Sequence, residues 1–527
     1  MKYVRRLQLQ WNLLKEGILL RKKMIIFCFV AVFFWGFFAH AYGFLHNNLS
    51  HDVLNAFTAT RTEEIWKIEL GRFLVPVYRL IRGPVSLPWL VGLLGLMWTA
   101  IALFLVVEIF DISSRVAVFL TAGIMTTNIT YIAQIATYLY EFDFNALSML
   151  LAVLAVYLWN RKEIFWNLAA VCCLMVSIAI YQAYISVTVT LIVWKSIMDL
   201  LDDKPVMAVL IHGLKGILVV LTGVALYFGL GKFVYAITGI VPQDRTNVFE
   251  AGSAQVQLNL EQLQEAFEEV KSYILHKAYN IRFFKKSATA VTVLSCVTMV
   301  AVFVRKRYRW DRILMVFALI VALPIAMDCM RMLSKAMGIH ELMVYAVWFF
   351  YVFLVVFSFF LCGKDWFPRL WAKLLRVAVC ALVCVVLWQN VLLANTAYVK
   401  KELEANATLS VMTRVAATWD AREDFDPEET EVAFIGDADT EVTVHGMKRV
   451  SSILAMHKNF SIFRDDSEYY YNTYKAYFEY VLQRPVRFCS DEVHAQLKED
   501  ERVQALPKFP QKGYMEMIDG MLVIKMG

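Results

Sequence analysis

The chain has 527 residues, 59% of them hydrophobic and 19% charged, with a formal net charge of +6. A soluble protein of this length could not hide so much apolar surface in one core, so the bilayer has to act as solvent. The positive balance sits largely in basic loops between apolar runs, which makes nucleic acid a poor explanation for it.

Residues 1–23 hold Arg5, Arg6, Lys15, Arg21, Lys22 and Lys23, while Leu7, Trp11, Leu14 and Ile18 recur on one helical face. This spacing predicts a basic amphipathic helix on the cytoplasmic surface. The run from Met24 to Leu45 is too long for the core of a cleaved signal and lacks a small-residue cleavage site. Apolar runs predict about eleven spans, at 24–45, 87–110, 115–136, 143–159, 164–181, 184–199, 207–234, 286–304, 312–330, 340–362 and 373–395. With a cytoplasmic N-terminus, Arg161–Lys162, Arg305–Arg309 and Lys364–Arg376 all fall on the cytoplasmic side, as the positive-inside rule requires.

Three polar segments then lie outside: 46–86, 242–285 and the tail 396–527. The second carries an apolar stripe through Leu263, Phe267, Val270 and Ile274, expected to lie along the outer interface. The tail offers strands at Val432–Ile435 and near Val442–Val444, a helical aromatic stretch from Tyr469 to Leu482, and a hairpin-like end at Met517–Lys525. The chain therefore divides into an N-terminal surface helix (1–23), an all-α polytopic membrane domain (24–395) and a small α/β or α+β extracytoplasmic domain (396–527). Its nine cysteines fall mostly inside apolar runs and form no disulfide framework, and no CxxC or Cys/His spacing signals zinc.

Ionisable residues gather at the outer membrane face. The first outer loop contains Ser50-His51-Asp52, then Arg61, Glu63, Glu64, Glu69, Gly71 and Arg72. Such a charge run is either an ordinary solvated loop or part of a site shared with other loops on that side. Tyr140, Glu141 and Asp143 stand between the third and fourth spans, where carboxylates beside hydrocarbon point to pairing or function. Tyr181 and Gln182 occupy a tight outer turn, where the glutamine could bond a sugar hydroxyl or cap a helix end. Asp328 and Arg331 read as an ion pair or, for the arginine, a phosphate ligand, with His340 and Glu341 nearby. Arg282, Lys285 and Lys286 run against the positive-inside trend, which suits either an anionic lipid phosphate or an interfacial anchor.

His51-Asp52 after the first span, Gly71-Arg72-Phe73 some twenty residues on, Tyr140-Glu141 and Tyr181-Gln182-Ala183-Tyr184 together resemble the bacterial GtrII-type glucosyltransferases, the type II O-antigen-modifying group. The resemblance covers the first 400 residues or so, and departs from the family at Val53, where a second acidic residue would make a two-carboxylate site. It implies a GT-C-like fold in the bacterial cytoplasmic membrane, a polyprenyl-phosphate-linked hexose as donor and an extracytoplasmic glycan or glycopolymer as acceptor. It further implies Asp52 as catalytic base in an inverting displacement, with Arg72 and Arg282 or Arg331 holding the donor phosphate. His51, Tyr140, Glu141, Asp143, Tyr181 and Gln182 would contact sugar or acceptor. The scheme requires no cofactor, though a carboxylate-bound divalent ion is compatible with it. The rivals are a lipid-linked-sugar transporter or flippase, which would place charge at the membrane midplane where Lys215 is the one candidate, and a non-catalytic wall-assembly protein.

Overall fold

Long apolar runs become long helices because, in hydrocarbon, each backbone N–H and C=O has to be satisfied within its own segment. The structure, a computed structural model, describes residues 2–46, 54, 61–161, 163–242, 260–277, 282–330, 340–438, 447, 450 and 473–526. Among these, ten helical segments are long and apolar enough to cross a bilayer. They are α1 (Lys2–Leu45), α4 (Pro88–Ile109), α5 with α6 (Arg115–Thr127, Ile129–Thr137), α7 (Phe142–Trp159), α9 (Ile185–Leu201), α10 (Val206–Thr238), α12 (Arg282–Lys306), α13 (Trp310–Met327), α14 (Phe349–Cys362) and α15 (Arg369–Asp420), where 3₁₀ turns lengthen the spans of α7, α9 and α14 to start at Leu139, Gln182 and Tyr345. The apolar α8 (Ile164–Ile180) has 17 residues, at the short limit for a span, and completes the expected set.

Burial ranks these helices from centre to rim. The most apolar windows of α5–α6 and of α9 are 89% buried, against 22% in α10 and α13, so the former make the heart of the bundle and the latter its lipid face. α7 packs between α4 and α8. The approach to α4 is close enough that a Cβ on Gly95 would stand 2.2 Å from the Phe142 ring. The third span breaks at Asn128, deep in the bundle. There the Asn128 amide donates to the carbonyls of Ile124 (3.2 Å) and Met125 (2.8 Å), while its oxygen accepts from the Tyr131 N–H (3.1 Å). Together with the Tyr345 hydroxyl, which donates to the Met125 carbonyl (2.7 Å), and His40, whose ring lies 2.8 Å from the Thr126 carbonyl, this side chain answers groups that a broken helix exposes, which permits irregular backbone at membrane depth.

The segment after α1 carries the short elements α2 (Arg61–Glu69) and α3 (Val75–Arg82), and Leu54 from the same segment packs in the core of the C-terminal domain, so both lie at one end of the bundle. At the opposite face the basic loops are cross-tied. Asp203 accepts from Lys306 (2.6 Å) and Arg312 (3.0 Å), and Asp202 from Lys364 (2.5 Å). α15 runs unbroken through residue 395, where the sequence suggested a domain boundary. Its 52 residues make it about 78 Å long, more than twice the roughly 30 Å of hydrocarbon. Its far end supplies Met412, Val415, Ala416 and Trp419 to the core of the C-terminal domain. That domain holds a four-stranded sheet in the order β2 (Arg487–Phe488), β1 (Glu431–Ile435), β4 (Met521–Lys525), β3 (Met515–Ile518). β1 is parallel to both neighbours and β3–β4 is the expected antiparallel hairpin. The strand suggested near Val442–Val444 lies outside the described residues.

Candidate active site

α2 ends in a paired turn. The Gly71 N–H bonds to the Ile68 carbonyl (2.8 Å) and the Arg72 N–H reaches back to that of Lys67 (2.8 Å), a Schellman arrangement that needs the positive φ of 76° found at Gly71. The turn sets Lys67 and Arg72 side by side. α3 follows at once, with Pro76 in its first turn. Leu80 and Ile81 face outward, both 83% exposed, while the Arg79 and Arg82 side chains turn inward and are almost fully buried. A helix that exposes leucine and buries arginine has hydrocarbon on its outer side and polar partners within.

Those partners come from the junction of α6 and α7. Glu141, in a single 3₁₀ turn, accepts from the Lys67 ammonium and lies 3.5 Å from Arg72. Asp143, in the first turn of α7, accepts from the Tyr78 hydroxyl (3.0 Å) and lies 3.6 Å from Arg82. Rings fill the gaps. The Arg72 guanidinium is 4.6 Å from the centre of the Tyr181 ring, and Arg79 lies 5.9 Å from that of Tyr140 and 5.8 Å from that of Phe144. Gln182 donates to the Leu70 carbonyl (2.7 Å) and to the Tyr227 hydroxyl (3.1 Å), which in turn donates to the Gly71 carbonyl (3.2 Å). Its amide nitrogen is thus spent on holding the Gly71 turn against α8 and α10.

Among the described residues, four cations surround two carboxylates here. Arg72 is the most open of the four, with Nε unpartnered and the side chain 16% exposed. His340 stands beside it. Burial and the Arg72 charge pull its imidazole down to about 4, so it is neutral near pH 7.

The family model described as Glucosyl transferase GtrII matches residues 41–399, more than half of the chain. The chain belongs to the GtrII glucosyltransferase family. Neither the curated proteins nor the solved structures yield a match. This GtrII member is therefore a multi-pass membrane glycosyltransferase, and the matched region contains the whole cation cluster but ends before the core of the C-terminal domain begins at Met412.

Of the residues singled out from sequence, the structure brings Arg72, Tyr140, Glu141, Asp143, Tyr181 and Gln182 into one site. His51, Asp52 and Arg331 lie outside the described residues, as does the Arg282 side chain, although Arg282 opens α12. Asp328 and Glu341 are buried and both flank Tyr273. Lys67, Tyr78, Arg79, Arg82 and Tyr227 were not anticipated. The one available signal was the segment Val75–Arg82, which sets two arginines one turn apart between Pro76 and Gly83 directly after Gly71-Arg72-Phe73.

Proposed function

We propose that this glucosyltransferase takes its hexose, glucose, from a polyprenyl-phosphate donor and transfers it to a glycan or glycopolymer on the extracytoplasmic side of the bacterial cytoplasmic membrane. The observation that carries the reading is the convergence of Lys67, Arg72, Arg79 and Arg82 on Glu141 and Asp143 at the membrane's edge. A nucleotide-sugar donor would require only a soluble pocket. A lipid-linked donor requires its phosphate to be met at headgroup depth, and α3, with apolar residues outward and arginines inward, supplies that. The basic loops of the opposite face favour the orientation with that face cytoplasmic and the C-terminal domain outside.

The reaction is a single inverting displacement. The acceptor oxygen attacks the anomeric carbon, its proton passes to Asp52, and the bond from the anomeric carbon to the phosphate oxygen breaks. Polyprenyl phosphate leaves already ionised, so no general acid is needed, and Arg72, with Arg282 or Arg331, neutralises the charge that grows on it. Glu141 fixes Lys67 and Arg72 in place by charge, and the Tyr181 ring lies against the Arg72 guanidinium. Lys215, the one midplane candidate that a flippase reading could use, is exposed on α10. The test is to offer the purified protein polyprenyl-phosphate-glucose or a nucleotide-glucose with candidate acceptors. Transfer from the lipid donor alone supports the reading. Transfer from the nucleotide sugar, or movement of the lipid donor across liposomes without transfer, refutes it.

A further inference from the structure

α10 lies at the rim of the bundle, yet it turns a large polar side chain inward. Its buried stripe runs through Gly216, Val219, Gly223, Tyr227 and Gly231 at helical spacing, with Tyr227 the one aromatic residue among them. The glycines let neighbouring helices close up: a Cβ on Gly223 would stand 3.0 Å from the Leu174 side chain of α8. That close approach brings the Tyr227 hydroxyl to the turn between α2 and α3. Tyr235, eight residues further on, lies on the same side of α10.

A helix that ends leaves its last carbonyls without donors of its own. At the end of α2 they are answered from other helices. Tyr235 donates to the Ile68 carbonyl (3.0 Å), Gln182, between α8 and α9, to that of Leu70 (2.7 Å), and Tyr227 to that of Gly71 (3.2 Å). The Leu74 N–H bonds to the Ala179 carbonyl of α8 (3.2 Å), and the Phe73 ring stacks on that of Tyr227 with centres 5.7 Å apart. α8 and α10 thus hold the backbone on both sides of Arg72, at Gly71 and at Leu74.

We propose that Tyr227 is a positioning residue for the donor phosphate: its hydroxyl, itself held by the Gln182 amide, fixes the Gly71 turn and so the place of the Arg72 guanidinium. The inference rests on the reading of Arg72 as a ligand of that phosphate. Tyr227 acts through the backbone of the turn and touches no substrate. Tyr227→Phe keeps the ring against Phe73 and removes only the hydroxyl, so its effect passes through Arg72 alone. A bond to a charged group contributes on the order of tenfold to a hundredfold in affinity, so Arg72→Ala is expected to weaken donor binding by about a hundredfold, and Tyr227→Phe, which shifts the cation without deleting it, by about tenfold. Tyr235→Phe is expected to cost about twofold, because the Ile68 carbonyl keeps the Gly71 N–H.

The experiment measures the Kd of the full-length protein in nanodiscs for polyprenyl-phosphate-glucose, comparing the parent, Tyr227→Phe, Arg72→Ala and the double variant. Hydrogen exchange is followed over residues 66–74. The expected result is weaker binding and faster exchange in Tyr227→Phe, with the double variant binding no worse than Arg72→Ala. Should Tyr227→Phe fail to fold, Gln182→Met, which removes the support of the same hydroxyl, is expected to speed exchange over 66–74, and unchanged exchange overturns the proposal. Parent-like binding in Tyr227→Phe with Arg72→Ala weakened overturns the positioning role alone, as does an equal loss from Tyr227→Phe with and without Arg72, the mark of a merely structural effect. Parent-like binding in Arg72→Ala overturns the reading of Arg72 instead.

Discussion

Arg82→Met tests whether the inward-facing arginines of α3 are held by charge. Arg82 and Asp143 stand 3.6 Å apart with side chains almost wholly shielded from solvent, and the Tyr78 hydroxyl also donates to Asp143 (3.0 Å). At an effective dielectric of about 20, opposite charges at 3.6 Å attract by roughly 5 kcal/mol. Removing the arginine also removes its desolvation cost, so the net loss is smaller, about 3 kcal/mol, most of it from stranding a buried carboxylate. Unfolding by titration with SDS is the assay, because the quantity at issue is stability rather than turnover. The double variant Arg82→Met with Asp143→Asn, which strands no charge, is expected to recover to within about 1 kcal/mol of the parent. A single variant as stable as the parent, or a double variant that loses the sum of two independent effects, would refute the pairing.

Gly71→Ala places a Cβ on a left-handed residue, so a loss of about 1 to 2 kcal/mol is expected, together with a raised KM for the donor as Arg72 shifts. Asn128→Leu leaves the Ile124 carbonyl and the Tyr131 N–H without this side chain inside the bundle, while the Met125 carbonyl keeps the Tyr345 hydroxyl, and should cost about 2 kcal/mol in the same SDS titration; an effect below about 0.5 kcal/mol, the size of ordinary surface changes, would show that the helix break does not depend on it. His340 is held near 4 in the folded protein against about 6.5 when unfolded, so the unfolded chain binds more protons between those values. Its contribution is present above pH 6.5 and is lost as pH falls toward 4, by up to about 3 kcal/mol. His340→Gln should flatten that part of the stability profile, and an identical profile would remove His340 as its source.

The spans were readable because a hydrocarbon crossing needs a continuous apolar run, and such runs survive any detail of packing. Glu141 and Asp143 were readable for the same reason, as carboxylates next to hydrocarbon have few cheap explanations. Lys67, Arg79 and Arg82 were hidden because a basic residue in a polar loop is ordinarily solvated. Only the fold of α2 and α3 shows that these three turn inward, and their partners are some 60 to 75 residues away in sequence. Gln182 reads from sequence as a sugar ligand or a helix cap, and the bonds of its amide nitrogen to the Leu70 carbonyl and the Tyr227 hydroxyl are a long-range pairing that spacing cannot reveal. The passage of α15 through residue 395 is not legible in the hydropathy, which falls there while Ala, Leu, Glu and Lys keep helix propensity high.

The central claim is that a lipid-linked sugar phosphate is met by the cation cluster, and Arg72 is its most open member. The decisive measurement is transfer of labelled glucose from polyprenyl-phosphate-glucose to acceptor in proteoliposomes, for the parent and for Arg72→Ala. Transfer by the parent is expected, with a loss of about a hundredfold or more in the variant, the scale for removing a donor to the developing charge. Equal rates from the two proteins would contradict it.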